Sequence, residues 1–184
     1  SLGLMSWWSA MCTRIGETYR VTEVTVPGQG LPVDSRYAAW LARALELART
    51  AGEAGEVPVG AVLVDPTGQV VAEGANAREA TADPTAHAEI VALRAGARHT
   101  GSWRLPGHTL VVTLEPCPMC TGAILAARIE TLVIGAWDPK AGACGSVWDL
   151  ARDPRATHFV EVVGALDEPG CGGVLREFFQ ARRG

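Results

Sequence analysis

From Asp34 onward the apolar positions Leu41, Ala44, Leu45 and Ala48 recur at i, i+3, i+4 and i+7, the spacing of one helical face. Asp34 or Ser35 is the expected cap, and the helix is expected to end near Gly52. The period then changes. VGAVLVD (59–65) and QVVAEG (69–74) flank the turn sequence Asp65-Pro66-Thr67-Gly68, which predicts a β-hairpin. ANAREATADPT (75–85) predicts a loop. AHAEIVALRAGA (86–97) predicts a second helix, capped by Asp83 with Pro84 at its first position, or by Thr85. TLVVTLE (109–115) is almost wholly apolar, as expected of a strand covered on both faces. A third helix is expected to start at Cys117 and Cys120 and to run to about Ile129. TLVIGAW (131–137) reads as another covered strand. A glycine-rich loop (138–146), a strand within HFVEVVGAL (158–166) and a closing helix GVLREFFQARR (173–183) follow.

Strands that alternate with helices imply parallel pairing through right-handed crossovers, and the hairpin adds an antiparallel element. The expected fold is α/β, a three-layer α/β/α sandwich around a mixed sheet of about five strands. Residues 1–33 show no helical period. VPGQGLP (26–32) reads as a linker, and YRVTEVTV (19–26) alternates as an edge strand would. The expected organisation is a flexible N-terminal extension over 1–33 and one domain over 34–184, since 184 residues hold one core of ordinary size.

Composition narrows the classes. With 48% apolar and 20% charged residues, the chain is neither a disordered segment nor a membrane protein, and no apolar run approaches the ~20 residues of a span. The first twenty residues lack a positive region followed by an apolar core, so no signal peptide is expected and a cytoplasmic location follows. A net charge of −4 argues against a generally basic nucleic-acid binder. The C-terminal end differs: from Cys171 onward Arg176, Arg182 and Arg183 face only Glu177.

Five cysteines (Cys12, Cys117, Cys120, Cys144 and Cys171) form no regular disulfide framework, which favours metal or catalytic use. Cys117 and Cys120 are three apart, a spacing shared by redox pairs and half zinc sites. With Cys117 as N-cap and Pro118 first in the helix, both sulfurs lie in the first turn, where free N–H groups favour thiolate. A closed structural zinc site would need two more ligands, from a second CxxC or an HxxxH pair, and neither is present. His87 supplies a third ligand. Three protein ligands with one open position is the catalytic pattern for zinc. Glu89, two residues after His87, is the nearby carboxylate able to move protons; both serve one centre only at the helix's N-terminal end.

HAE (87–89) with PCPMC (116–120) is the H-x-E…P-C-x-x-C signature of zinc nucleobase deaminases. EVPVGAVLV (56–64), Asn76, DPTAHAE (83–89), TLEPCPMC (113–120), GAWDPKAGACGS (135–146) and FFQARR (178–183) extend the likeness. Over residues 36–184 the chain resembles the bacterial tRNA-specific adenosine deaminases. The resemblance implies one Zn²⁺ per subunit on His87, Cys117 and Cys120, and hydrolytic deamination of adenosine to inosine at the wobble position of a tRNA anticodon. It further implies that zinc-bound hydroxide attacks C6 of the flipped-out base while Glu89 shuttles protons. Carried over by motif, Asn76 hydrogen-bonds the base, Val59 and Leu114 line its pocket, and Asp138 meets the neighbouring nucleotide's sugar. Phe179 is expected to stack on an anticodon-loop base, with Arg182 and Arg183 at phosphates. A homodimer and the anticodon stem-loop are the implied partners.

Plainer readings exist for several of these residues. Asn76 in AEGAN suits a turn, Val59 and Leu114 suit a core, and Asp138-Pro139 suits a strand end. Val174, Leu175, Phe178 and Phe179 have the spacing of a buried stripe. Glu115 is expected to orient neighbours through buried hydrogen bonds. Cys144 is expected to be a small buried side chain, and His99, His108 and His158 structural or surface residues. Two other functions compete: a deaminase of a free base or nucleoside such as guanine or cytidine, and an inactive zinc-containing RNA-binding module. The C-terminal FFQARR and the Asp138 loop count against the former, and Glu89 counts against the latter.

Overall fold

The computed structural model describes residues 35–183, within a compact unit of Val33–Gly184. The linker and edge strand expected before residue 34, the capping role of Asp34 and Cys12 all lie outside the described residues. Eleven elements follow in order. They are α1 (Ser35–Glu53), β1 (Gly60–Val64), β2 (Val70–Ala75), α2 (Arg78–Thr81), α3 (Ala88–Thr100), β3 (Thr109–Leu114), α4 (Pro118–Ala126), β4 (Thr131–Ala136), a 3₁₀ turn (Leu150–Arg152), β5 (Glu161–Val163) and α5 (Glu168–Ala181). The five strands form one sheet in the order β2-β1-β3-β4-β5. β1 pairs antiparallel with both β2 and β3, and β3, β4 and β5 run parallel.

Successive strand residues point to opposite faces, and here each face has its own helices. Leu63, Leu110, Val112, Leu132 and Ile134 pack with Ala88, Ala92 and Leu93 of α3 and Ile124 of α4. Val62, Val64, Val111 and Val133 pack instead with Leu41, Ala44 and Leu45 of α1 and Cys171 of α5. This is the three-layer sandwich that the strand and helix periods imply. Two glycines set how closely the layers approach: a Cβ on Gly60 would lie 2.1 Å from the Ala44 carbonyl oxygen, and one on Gly74 2.2 Å from that of Ala88. Helix backbone therefore rests directly on the hairpin, a contact no other residue permits without movement.

Several boundaries differ from expectation. The loop after β2 contains one helical turn, α2, closed by Ala82 in the left-handed region (φ 50°). The second helix does not begin at Asp83 or Thr85. The Asp83 carboxylate accepts from the Thr85 backbone N–H (2.8 Å) and hydroxyl (2.6 Å), which builds a turn in place of a cap. α3 starts after His87, whose extended backbone (φ −70°, ψ 154°) makes it the N-cap. α4 stops at Ala126, short of Ile129. Ile129 N–H donates to Ile124 O and Arg128 N–H to Leu125 O, a Schellman ending with Arg128 at φ 63° where glycine is usual. β5 is only three residues long. α5 starts earlier than the FFQARR pattern suggests, at Glu168, because the Asp167 carboxylate caps Gly170 N–H at 3.0 Å. Phe179, which the plainer reading of its helical spacing would bury, is 44% exposed.

Candidate active site

Two helix starts on the same face of the sheet build the centre. β3 ends at Leu114 and the chain turns at once into α4, with Cys117 in the N-cap position and Pro118 opening the helix, as expected. His87 occupies the matching position at α3. Neither side chain makes a capping hydrogen bond, so both are available to a third party. His87 Nδ1 lies 3.7 Å from Cys117 Sγ and 3.5 Å from Cys120 Sγ. A tetrahedral ion with ordinary zinc bond lengths sets sulfur–nitrogen edges of about 3.6 Å. The donor set therefore fits zinc in both chemistry and spacing. Among the described residues, this is the one cluster of three potential ligands.

Electrostatics make the site ready for a cation. The Cys120 thiol donates to Cys117, and with His87 beside it this pulls the Cys117 thiol down to about 4. Being that donor, and being buried, pushes Cys120 up instead. His87 is raised, chiefly by its hydrogen bond to Cys117. Without metal, Cys120 thus holds a proton that zinc must displace, and His87 keeps its own to higher pH than an ordinary imidazole does. Calorimetric titration of the metal-free protein in buffers of different ionisation enthalpy is expected to show at least about one proton released per zinc at pH 7, the one on Cys120. Affinity is expected to rise with pH and to climb less steeply above the His87 pKa. Release of no protons would contradict this charge state.

Glu89 sits in the first turn of α3, 3% exposed, and burial raises its carboxyl pKa above the ordinary value. His87 stands just outside the helix and Glu89 just inside it, so positions two apart share one centre. A cavity of about 160 Å³ opens beside them, lined by His87, Cys117, Glu89, Asn76, Val59, Leu114 and Asp138. Cys120 is fully buried behind it. Of the expected contacts, Phe179 and Arg183 are not in this lining; both are exposed on or just past α5. Arg182 is committed elsewhere: its Nη2 donates to Gly55 O at 2.6 Å and its guanidinium stacks 3.9 Å from the Phe178 ring.

Four lining residues escaped the sequence reading: Val57, Arg78, Ala88 and Ala141. Arg78, an exposed cation two residues after Asn76, was the findable one, since a cation beside a nucleic-acid site has an evident use. Glu115 takes the orienting role expected of it. Buried to 2% exposure, it accepts from the backbone N–H groups of Asp138 (3.0 Å), Cys144 (2.9 Å) and Ser146 (3.1 Å). It thereby folds the loop that carries Asp138 onto the site. Cys144 is buried against the Thr121 hydroxyl, and His108 and His158 hydrogen-bond to the Pro106 and Ile129 carbonyls, all structural roles.

The chain is 44% identical over 144 residues to the tRNA-specific adenosine deaminase of Bacillus subtilis, covering 78% of this chain and 89% of that protein. The cytidine and deoxycytidylate deaminase zinc-binding region matches residues 34–136. The chain belongs to the tRNA-specific adenosine deaminases, a branch of the zinc-binding deaminases. This deaminase is also 51% identical over 140 residues to the corresponding protein of Haemophilus influenzae, covering 76% and 81% of the two chains. A chain solved in a study of A-to-I editing by tRNA:A34 deaminases at the wobble position superposes with a TM-score of 0.73. That chain shares 44% identity, and the match covers 75% of this deaminase and 99% of the solved chain. Zinc is its cofactor, with His87, Cys117 and Cys120 placed to bind it. Among the described residues no helix is long and apolar enough to cross a membrane.

Proposed function

We propose that this deaminase converts adenosine to inosine, with water as co-substrate and ammonia as product, at the wobble position of a tRNA anticodon. The observation that carries the reading is a buried carboxyl, Glu89, in one cavity with a three-ligand zinc set. A purely structural metal has no use for either the open position or the acid.

His87, Cys117 and Cys120 hold the metal, and bound zinc supplies Lewis acidity that brings hydrolysis within reach near neutral pH. Glu89 does the proton work. Its burial keeps its pKa closer to the working range than an exposed glutamate's, so it can both take a proton and give it back. It accepts one proton from the attacking water and passes it to N1 of the adenine ring, then takes the second proton from that oxygen as the 6-oxo group forms and delivers it to the departing 6-amino group. Val59, Leu114 and Val57 form the apolar walls against the base, and Asn76 supplies a directional polar contact. Asp138 meets the sugar of the neighbouring nucleotide, and Arg78 at the rim faces the backbone phosphates. Phe179 and Arg183 meet the anticodon loop outside the cavity, the ring by stacking and the guanidinium at phosphate.

The domain that does this is residues 34–184, residues 1–33 being an extension to it. It works as a homodimer in the cytoplasm, where its substrate is. The test substrate is an anticodon stem-loop with adenosine at the wobble position, offered in parallel with guanine, adenine and cytidine.

A further inference from the structure

Glu56 is buried to 4% exposure in the segment between α1 and β1, and it forms no ion pair among the described residues. Two neutral donors converge on it. Its Oε1 accepts from the Ala80 backbone N–H in α2 at 2.8 Å, and its Oε2 from Asn76 Nδ2 at 3.4 Å. The same Nδ2 also donates to Val57 O at 3.3 Å, and the Asn76 backbone N–H donates to Val59 O at 3.0 Å. Asn76 Oδ1 has no partner among the described residues. Because no sealed side-chain oxygen or nitrogen there lacks a partner, Oδ1 has an open side, and Asn76 lines the cavity with His87 and Glu89.

The two ends of a carboxamide have nearly the same shape and opposite hydrogen-bonding character. Packing alone cannot choose between the two flips; a neighbour of fixed polarity can. Both Glu56 oxygens accept in the structure, as does the Val57 carbonyl, so both neighbours favour the flip that turns the Asn76 amino group toward them.

We propose that Glu56 is a positioning residue that fixes the Asn76 amide with Oδ1 presented to the cavity, so that the site selects a hydroxyl or amino hydrogen of the substrate nucleoside. The inference rests on the proposed deaminase reading and sharpens what the pocket recognises.

Glu56→Gln tests it with little change of shape. The substituted side chain keeps the bond from Ala80 N–H through its oxygen and sets its own amino group against that of Asn76. Two donors facing each other are relieved by turning the Asn76 amide over, which offers the substrate a donor in place of an acceptor. The exchange Glu56→Gln with Asn76→Asp restores the donor–acceptor pair between the two side chains. One oxygen of the new carboxylate accepts from the new amide and the other remains for the cavity, while the Val57 carbonyl loses its donor.

The measurement is kcat/KM for wild type, E56Q, N76D and the double variant, with zinc content and Tm for each. E56Q is expected to lose at least about tenfold in kcat/KM while keeping one zinc per chain and its Tm, since the buried polar match to substrate is reversed. The double variant is expected to exceed each single variant by at least about threefold in kcat/KM, an effect that a merely structural role of Glu56 does not produce. E56Q within twofold of wild type, or a double variant no better than E56Q, overturns the proposal. If E56Q melts early or loses zinc, the double variant alone decides: activity supports the exchange, and inactivity refutes it. Rates are compared on whichever substrate the wild-type chain turns over. An RNA-inactive wild type therefore contradicts the proposed function while the ratios still judge Glu56.

Discussion

Glu89→Gln is expected to lower kcat by about 10²–10⁴-fold, the usual worth of a positioned acid–base group, while zinc stays at one per chain. The substitution keeps the shape of the side chain and removes only its ability to carry protons between water, ring nitrogen and leaving group. Stability should move the other way. Because burial raises the Glu89 pKa in the folded protein, ionising it opposes folding. That penalty is absent below the unfolded-state pKa of the carboxyl and grows as pH rises through the interval up to the folded value. In metal-free protein, thermal melts of E89Q and wild type should therefore coincide near pH 4 and diverge by pH 8, with E89Q the more stable. An E89Q protein with wild-type turnover would remove Glu89 from the mechanism. A glutamate kept in a site where glutamine is more stable is a cost carried for chemistry.

Cys117→Ala is expected to empty the metal site and abolish activity together. The three donor atoms lie within 4.8 Å of one another, and two of them cannot satisfy a tetrahedral ion on their own. Metal analysis after dialysis should show less than about a tenth of a zinc per chain, against one for wild type, as expected when a site loses one of three ligands. At free zinc about a thousandfold above Kd, binding stabilises the folded state by about 4 kcal/mol. For a domain of this length that is about 8–16 °C in Tm. Chelated wild type should melt where C117A melts. A variant that retains stoichiometric zinc and turnover would show that Cys117 is not a ligand.

The parts of this site that the sequence displayed share a property: each is fixed by its own short segment. Cys117 and Cys120 announce themselves by spacing and by the proline between them. His87 and Glu89 do so by lying two apart at a helix start, and the strands by their period. Glu56 gave no such signal. Its role comes from Asn76 and Ala80, 20 and 24 positions away, brought together only when the hairpin folds back. The start of α3 is hidden in the sequence for a related reason. Asp83 has the chemistry of a cap and spends it on Thr85, a choice between two local hydrogen bonds that composition does not resolve. The end of α4 carries no sequence signal because Arg128, not glycine, occupies the left-handed position. Phe179 and Arg183 keep helical spacing on α5, yet spacing does not say whether a stripe faces core or solvent, and here Phe178 is partly covered while Phe179 is not.

Inosine formation measures the central claim most directly. Zinc-loaded protein is incubated with an anticodon stem-loop carrying adenosine at the wobble position, and separately with guanine, adenine and cytidine, and products are read by mass spectrometry. Zinc-dependent conversion of the wobble adenosine to inosine, with the free compounds left intact, is the predicted result. Deamination of a free base or nucleoside with the stem-loop untouched would contradict the account.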